Sequence, residues 1–111
     1  MKAAVILLTL AAAHPAFAEV DVRTLRYGCE RGVGIPATYV NAAEGSVVVL
    51  NVEGRQITLM NVPAASGARY EWPSDGSGYV WWTKGDDATL YWKNGEDGSE
   101  AAILSGCRSE G

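Results

Sequence analysis

Ser46-Val-Val-Val-Leu-Asn-Val-Glu-Gly-Arg-Gln-Ile-Thr-Leu-Met-Asn-Val62 is the stretch that decides the architecture. Its apolar residues follow a period of two. Val48, Leu50 and Val52 share one face of an extended chain, and Val47, Val49 and Asn51 share the other. After Glu53-Gly54 the pattern resumes, with Ile57, Leu59 and Asn61 opposed to Thr58, Met60 and Val62. Two such runs separated by a two-residue Glu-Gly turn read as an antiparallel hairpin. Both faces are apolar, so the alternation leaves open which of them points inward.

Working outward, the same alternation of short β-branched and aromatic runs with turn residues continues, and no long stretch has helical periodicity. The pattern predicts eight strands, over residues 24–29, 37–41, 46–52, 55–62, 68–72, 78–84, 88–93 and 100–107. Asn94-Gly95 and Asp97-Gly98 mark another turn. Residues 73–77 (PSDGS) are too many for a tight hairpin and predict a protruding loop, expected to face a second loop at residues 63–67 (PAASG). Sequential short connections favour an all-β fold, a small eight-stranded antiparallel β-barrel of up-and-down order that leaves no free edge; a two-sheet sandwich is the alternative.

The N-terminal residues speak for export. Lys2 precedes an apolar run from Ala3 to Ala13, His14-Pro15 breaks it, and Ala16-Phe17-Ala18 fits the small-x-small pattern of a signal-peptidase site. The run is well short of the roughly 20 apolar residues that span a bilayer. The expectation is a signal peptide over residues 1–18, cleaved after Ala18, and one domain over residues 19–111, periplasmic or secreted. Glu19 stands where a lipidated cysteine would, so no membrane anchor is expected. The one histidine, His14, leaves with the leader. The remainder then has no imidazole for a Ser-His or Cys-His nucleophile pair or for a metal, and the expectation is a binding protein, not an enzyme, with no cofactor. Eight Lys/Arg against thirteen Asp/Glu leave residues 19–111 at −5, a balance that disfavours nucleic acid and suits a basic protein partner. Cys29 and Cys107 are an even pair in an exported chain and predict one disulfide tying the first strand to the last. Closing a loop of about 80 residues is worth on the order of 4 kcal/mol in the chain-entropy model.

The most specific segments are Ser66-Gly67-Ala68-Arg69-Tyr70 and Trp82-Thr83-Lys84-Gly85-Asp86-Asp87-Ala88-Thr89-Leu90, framed by Tyr27-Gly28-Cys29 and Cys107. Together they resemble the MliC/PliC family, bacterial inhibitors of c-type lysozyme, whose usual form has an aromatic-x-Cys opening strand, an SGxRY segment and a W-x-K-G-[DE]-x-A-x-L segment. The resemblance covers essentially the whole domain, and Glu19 places the chain with the soluble periplasmic branch. It implies an eight-stranded antiparallel barrel, a c-type lysozyme as partner, and Ser66 and Lys84 in contact with the two catalytic carboxylates of the lysozyme cleft. Such an enzyme works with one protonated and one ionised carboxyl group, and an ammonium between them favours the ionised form of both. Gly67 and Gly85 are expected to let the backbone turn where it presents Ser66 and Lys84.

Other residues have competing readings. Arg69 is a candidate contact, but pairing with Glu71 or Asp86 is favoured. Tyr70 and Tyr79 either pack beneath the loop or line an interface. Four tryptophans, Trp72, Trp81, Trp82 and Trp92, raise the alternative of an exported carbohydrate- or small-ligand-binding barrel. Alternation sends Trp81 and Trp82 to opposite faces, however, leaving two exposed aromatics at most. The acid pairs Asp86-Asp87 and Glu96-Asp97 sit in turns and match no calcium loop, so no metal is assigned.

Overall fold

In the computed structural model, which describes residues 3–4 and 19–110, eight strands close into a barrel in sequence order. The expected leader lies, but for Ala3 and Ala4, outside the described residues. The strands are β1 (Asp21–Gly28), β2 (Gly34–Ala42), β3 (Gly45–Val52), β4 (Arg55–Val62), β5 (Ala68–Glu71), β6 (Gly78–Lys84), β7 (Asp87–Lys93) and β8 (Glu100–Ser109). Every neighbouring pair is antiparallel. The sandwich alternative is excluded, because β1 also pairs with β8.

The hairpin read first is present as expected. Val52 pairs with Arg55 across a turn whose central residues, Glu53 and Gly54, have φ of 49° and 83°. Positive φ at both positions is what matches a two-residue turn to the twist of its strands. The open question of facing is settled by burial: Val48, Leu50, Val52, Ile57 and Leu59 point inward, while Met60 is exposed. The first two strands begin earlier than expected. Asp21, Val22 and Arg23 carry little apolar signal, yet they pair with Asn41, Val40 and Tyr39. β2 runs through Pro36 because β3 pairs only from Ala37 onward. The missing N–H of Pro36 therefore faces a side with no strand to receive it.

Consecutive connections of an up-and-down barrel alternate between its ends. This corrects the expectation that loops 63–67 and 73–77 face one another: they flank β5 at opposite ends. The loop at 73–77 instead packs on the β7–β8 connection, where the Gly95 N–H donates to Ser77 Oγ at 2.9 Å.

The interior is aromatic as well as aliphatic. Trp81 is fully buried, and its indole N–H donates to the Tyr39 hydroxyl at 2.9 Å. The Tyr39 and Tyr27 hydroxyls are hydrogen-bonded at 2.7 Å. Burial pushes the Tyr39 phenol well above its ordinary pKa, against the opposing effect of the Trp81 N–H, so the hydroxyl stays neutral. Edge-to-face packing of Tyr27 on Trp81 at 5.1 Å completes the cluster. At the seam between first and last strands, Cys29 and Cys107 form the expected disulfide.

Two stability outcomes follow from this interior. Replacing both cysteines by alanine is expected to lower unfolding free energy by about 4 kcal/mol, read from urea denaturation. Tyr39→Phe strands the buried indole N–H of Trp81 and is expected to cost about 1–3 kcal/mol by the same measurement. A variant as stable as wild type would show that the N–H finds another acceptor.

Candidate functional site

The β5–β6 register brings the two sequence-specific segments together. Ala68 pairs with Thr83 and Arg69 with Trp82, so Ser66-Gly67, just ahead of β5, runs beside Lys84-Gly85 at the end of β6. Gly67 and Gly85 both have left-handed φ, 66° and 59°, as the turns there require. At Gly67 the constraint is doubly strict. A Cβ there would collide with the Thr83 carbonyl oxygen and come within 2.9 Å of Lys84 Cγ. The lysine stem thus lies over a position where only glycine leaves room, with Ser66 exposed beside it.

Alternation along β6 sends Trp81 into the core and Trp82 to the outer wall, as expected. Trp82 is engaged on every side. Its indole N–H donates to the Ser66 carbonyl oxygen at 2.9 Å. The Lys84 Nζ lies 4.5 Å from its ring centroid and the Arg69 guanidinium carbon 5.3 Å. A shallow groove of about 160 Å³ runs beside it, lined by Lys84, Asp87, Thr89 and Tyr91.

The two cations differ in their commitments. Arg69 is held by Glu71 at 2.8 Å and by Glu100. The expected alternative partner, Asp86, is not used; Glu71 lies two residues along the same strand, and Glu100 joins from β8. Lys93 adds to this network at 3.3 Å from Glu71. Burial would raise the Glu71 pKa, but Arg69 and Lys93 outweigh it and hold the carboxyl below its usual range. Lys84, by contrast, forms no ion pair among the described residues. Asp87, its partner in register, turns to Arg108 at 3.7 Å. Lys84 is therefore an exposed ammonium resting on an aromatic face, on an acidic protein.

The remaining candidates divide. Tyr70 is only 5 % exposed and packs on Tyr39, so it belongs to the core and does not line an exposed surface. Tyr79 sits five residues before Lys84, roughly 16 Å along the strand, and packs edge-to-face on Trp92. It does not join the Ser66–Lys84 end. Trp72 and Trp92 are the two half-exposed tryptophans, at 44 % and 42 %. Trp72 lines a larger groove of about 480 Å³ with Met60, Asp75 and Lys93, on the side of the 73–77 loop. Of the acid pairs, the Asp97 carboxylate accepts from the Ser99 N–H and hydroxyl, and the Asp87 carboxylate pairs with Arg108.

Sequence reasoning missed the part played by Trp82. The available signal was its outward place on β6, two residues before Lys84, but its hydrogen bond crosses to a different connection.

Comparison with known proteins adds independent findings. Residues 27–99 match the family model of MliC, membrane-bound lysozyme inhibitor of c-type lysozyme. A protein of Cupriavidus necator named membrane-bound lysozyme inhibitor of C-type lysozyme is 36 % identical over 119 aligned positions, covering 98 % of this chain and 91 % of that one. A protein of the same name from Pseudomonas aeruginosa is 40 % identical over 79 positions, covering 70 % of this chain and 59 % of the relative. Among solved structures, that of Pseudomonas aeruginosa MliC in complex with hen egg white lysozyme matches with a TM-score of 0.62 at 33 % identity. It covers 98 % of this chain and 99 % of that chain.

Gly67→Ala tests how tightly the loop is built. The collision with the Thr83 carbonyl and the left-handed φ are together expected to cost more than about 1 kcal/mol of stability, measured by thermal unfolding. An unchanged melting temperature would mean that the loop can be reshaped freely.

Proposed function

We infer that this chain, which belongs to the MliC family of lysozyme inhibitors, inhibits c-type lysozyme by placing its 63–67 loop and Lys84 in the active-site cleft. The observation that carries the reading is Lys84, exposed and without an ion pair among the described residues, beside Ser66 at one end of the barrel. A retaining glycosidase holds two carboxyl groups about 5 Å apart, across a gap that an ammonium can bridge. Lys84 supplies charge-assisted donors there and stabilises both carboxylates in the ionised form, which removes the general acid. Ser66 supplies a neutral hydroxyl for a second hydrogen bond. Inhibition is by occupancy, and no bond is made or broken.

Charge acts at two ranges. The acidic body, with sequence pI near 4.8, draws a basic enzyme at long range. The local cation then meets the local anions at contact. Cleavage of the leader after Ala18 would deliver the domain to the periplasmic side or the medium. With Glu19 in place of a lipidated cysteine, it would act unanchored, unlike the membrane-bound inhibitors it resembles.

The test is residual activity of a c-type lysozyme on cell-wall substrate, titrated with oxidised residues 19–111. Stoichiometric loss of activity is expected. Lys84→Ala is expected to weaken inhibition by roughly 2–5 kcal/mol, because it leaves two buried carboxylates without their counter-charge. Ser66→Ala is expected to cost about 1 kcal/mol, the worth of one neutral hydrogen bond. Equal inhibition by wild type and Lys84→Ala would exclude this mechanism.

A further inference from the structure

We propose that Trp82 is the positioning residue of the inhibitory site, a single side chain that fixes the Ser66 loop and the Lys84 ammonium relative to one another before a partner arrives. The proposal rests on the reading of function above and assigns to Trp82 no contact with the enzyme.

The geometry points to this role in three ways. Among the described residues, the indole N–H to the Ser66 carbonyl is the one hydrogen bond outside the strand ladders that ties loop 63–67 to the barrel wall. The same ring carries the Lys84 ammonium 4.5 Å from its centroid, within the distance at which a cation is attracted by an aromatic face. The ring itself is steadied from the neighbouring strand by Arg69, whose guanidinium is locked between Glu71 and Glu100. Arg69 is thus part of the support, and Lys84 is the cation left to move.

A lysine stem is long and flexible, and ordering it on binding is costly. Resting the ammonium on a fixed ring restricts that freedom in the unbound protein, and preorganisation of this kind raises affinity without a new contact. The resting place is also easily left. An exposed cation–π contact is weaker than a charge-assisted hydrogen bond to a carboxylate, so the enzyme's anions can take the ammonium over. An acidic side chain in place of Trp82 would hold Lys84 by an ion pair and compete with the target.

The experiment compares wild type, Trp82→Phe, Trp82→Leu and Lys84→Ala, with the Trp82→Leu/Lys84→Ala double variant, by lysozyme inhibition constant. Lysine side-chain proton shifts of the free proteins are recorded alongside, and melting curves establish folding. Trp82→Leu is expected to weaken inhibition roughly 10-fold or more, and Trp82→Phe by less, since phenylalanine keeps the aromatic face and loses only the N–H. The Lys84 methylene protons are expected upfield-shifted in wild type and in Trp82→Phe, and at ordinary positions in Trp82→Leu. On the Lys84→Ala background the Trp82→Leu loss is expected to shrink severalfold, because part of what Trp82 positions is already gone. Should Trp82→Leu not fold, Trp82→Phe and the wild-type shifts carry the same decision. A folded Trp82→Leu that inhibits like wild type while Lys84→Ala does not would overturn the positioning role and leave the inhibitor reading intact. Fully multiplicative losses in the double variant would also overturn it. A wild-type protein that leaves lysozyme fully active would overturn both.

Discussion

The structure depends on the closure between β1 and β8. Only Tyr27 with Ser109 and Gly28 with Arg108 pair there, against six to eight residue pairs at most other strand junctions. So short a ladder is a weak way to seal a sheet whose open edges would each expose a row of unpaired backbone groups. The Cys29–Cys107 bond adjoins it and makes the closure covalent. One backbone bond extends the same seam, from the Glu110 N–H to the Arg26 carbonyl. On the other edge of β8 the Ser109 N–H donates to the Asp86 carbonyl, which prolongs the β7–β8 ladder into the turn that follows Lys84.

Closure divides every strand into an inner and an outer face with different work to do. The inner face holds the aliphatic residues of β3 and β4 and the Tyr27–Tyr39–Trp81 chain, in which buried polar atoms are paired with one another. The outer face of β5 and β6 carries Arg69, Trp82 and Lys84 as near neighbours. One dipeptide, Trp81-Trp82, serves both: its first indole donates into the core and its second donates to the functional loop. The candidate site is therefore anchored to the barrel wall while remaining on its surface.

Charge follows the same division of labour. Of the two lysines in residues 19–111, Lys93 is spent on Glu71, and Lys84 has no ion pair among the described residues. Arg69, nearest in space to the Trp82 ring after Lys84, is likewise neutralised. Among the described residues, Lys84 is thus the lysine without an ion pair on a protein of net negative charge. Under the proposed function, that combination would separate long-range attraction to a basic partner from short-range recognition of its carboxylates.

By itself the sequence determined the number and order of the strands, the disulfide and the segments that carry the candidate site. Period-two alternation and turn residues are local properties, so the bounds of β4 and β6 could be read directly, and the two cysteines had only one another to pair with. The family-like segments placed Ser66 and Lys84 on the same grounds. Tertiary structure decided the rest. Which face of the Ser46-to-Val62 hairpin points inward could not be read from two apolar faces; it follows from how the sheet curls. The expected meeting of loops 63–67 and 73–77 failed because alternating strand direction sends them to opposite ends. Arg69 found Glu100, three strands away in the sheet order, and Trp82 found the Ser66 carbonyl just ahead of the neighbouring strand. Each of these depends on register and closure, which join residues that are remote in the chain and leave no local trace in it.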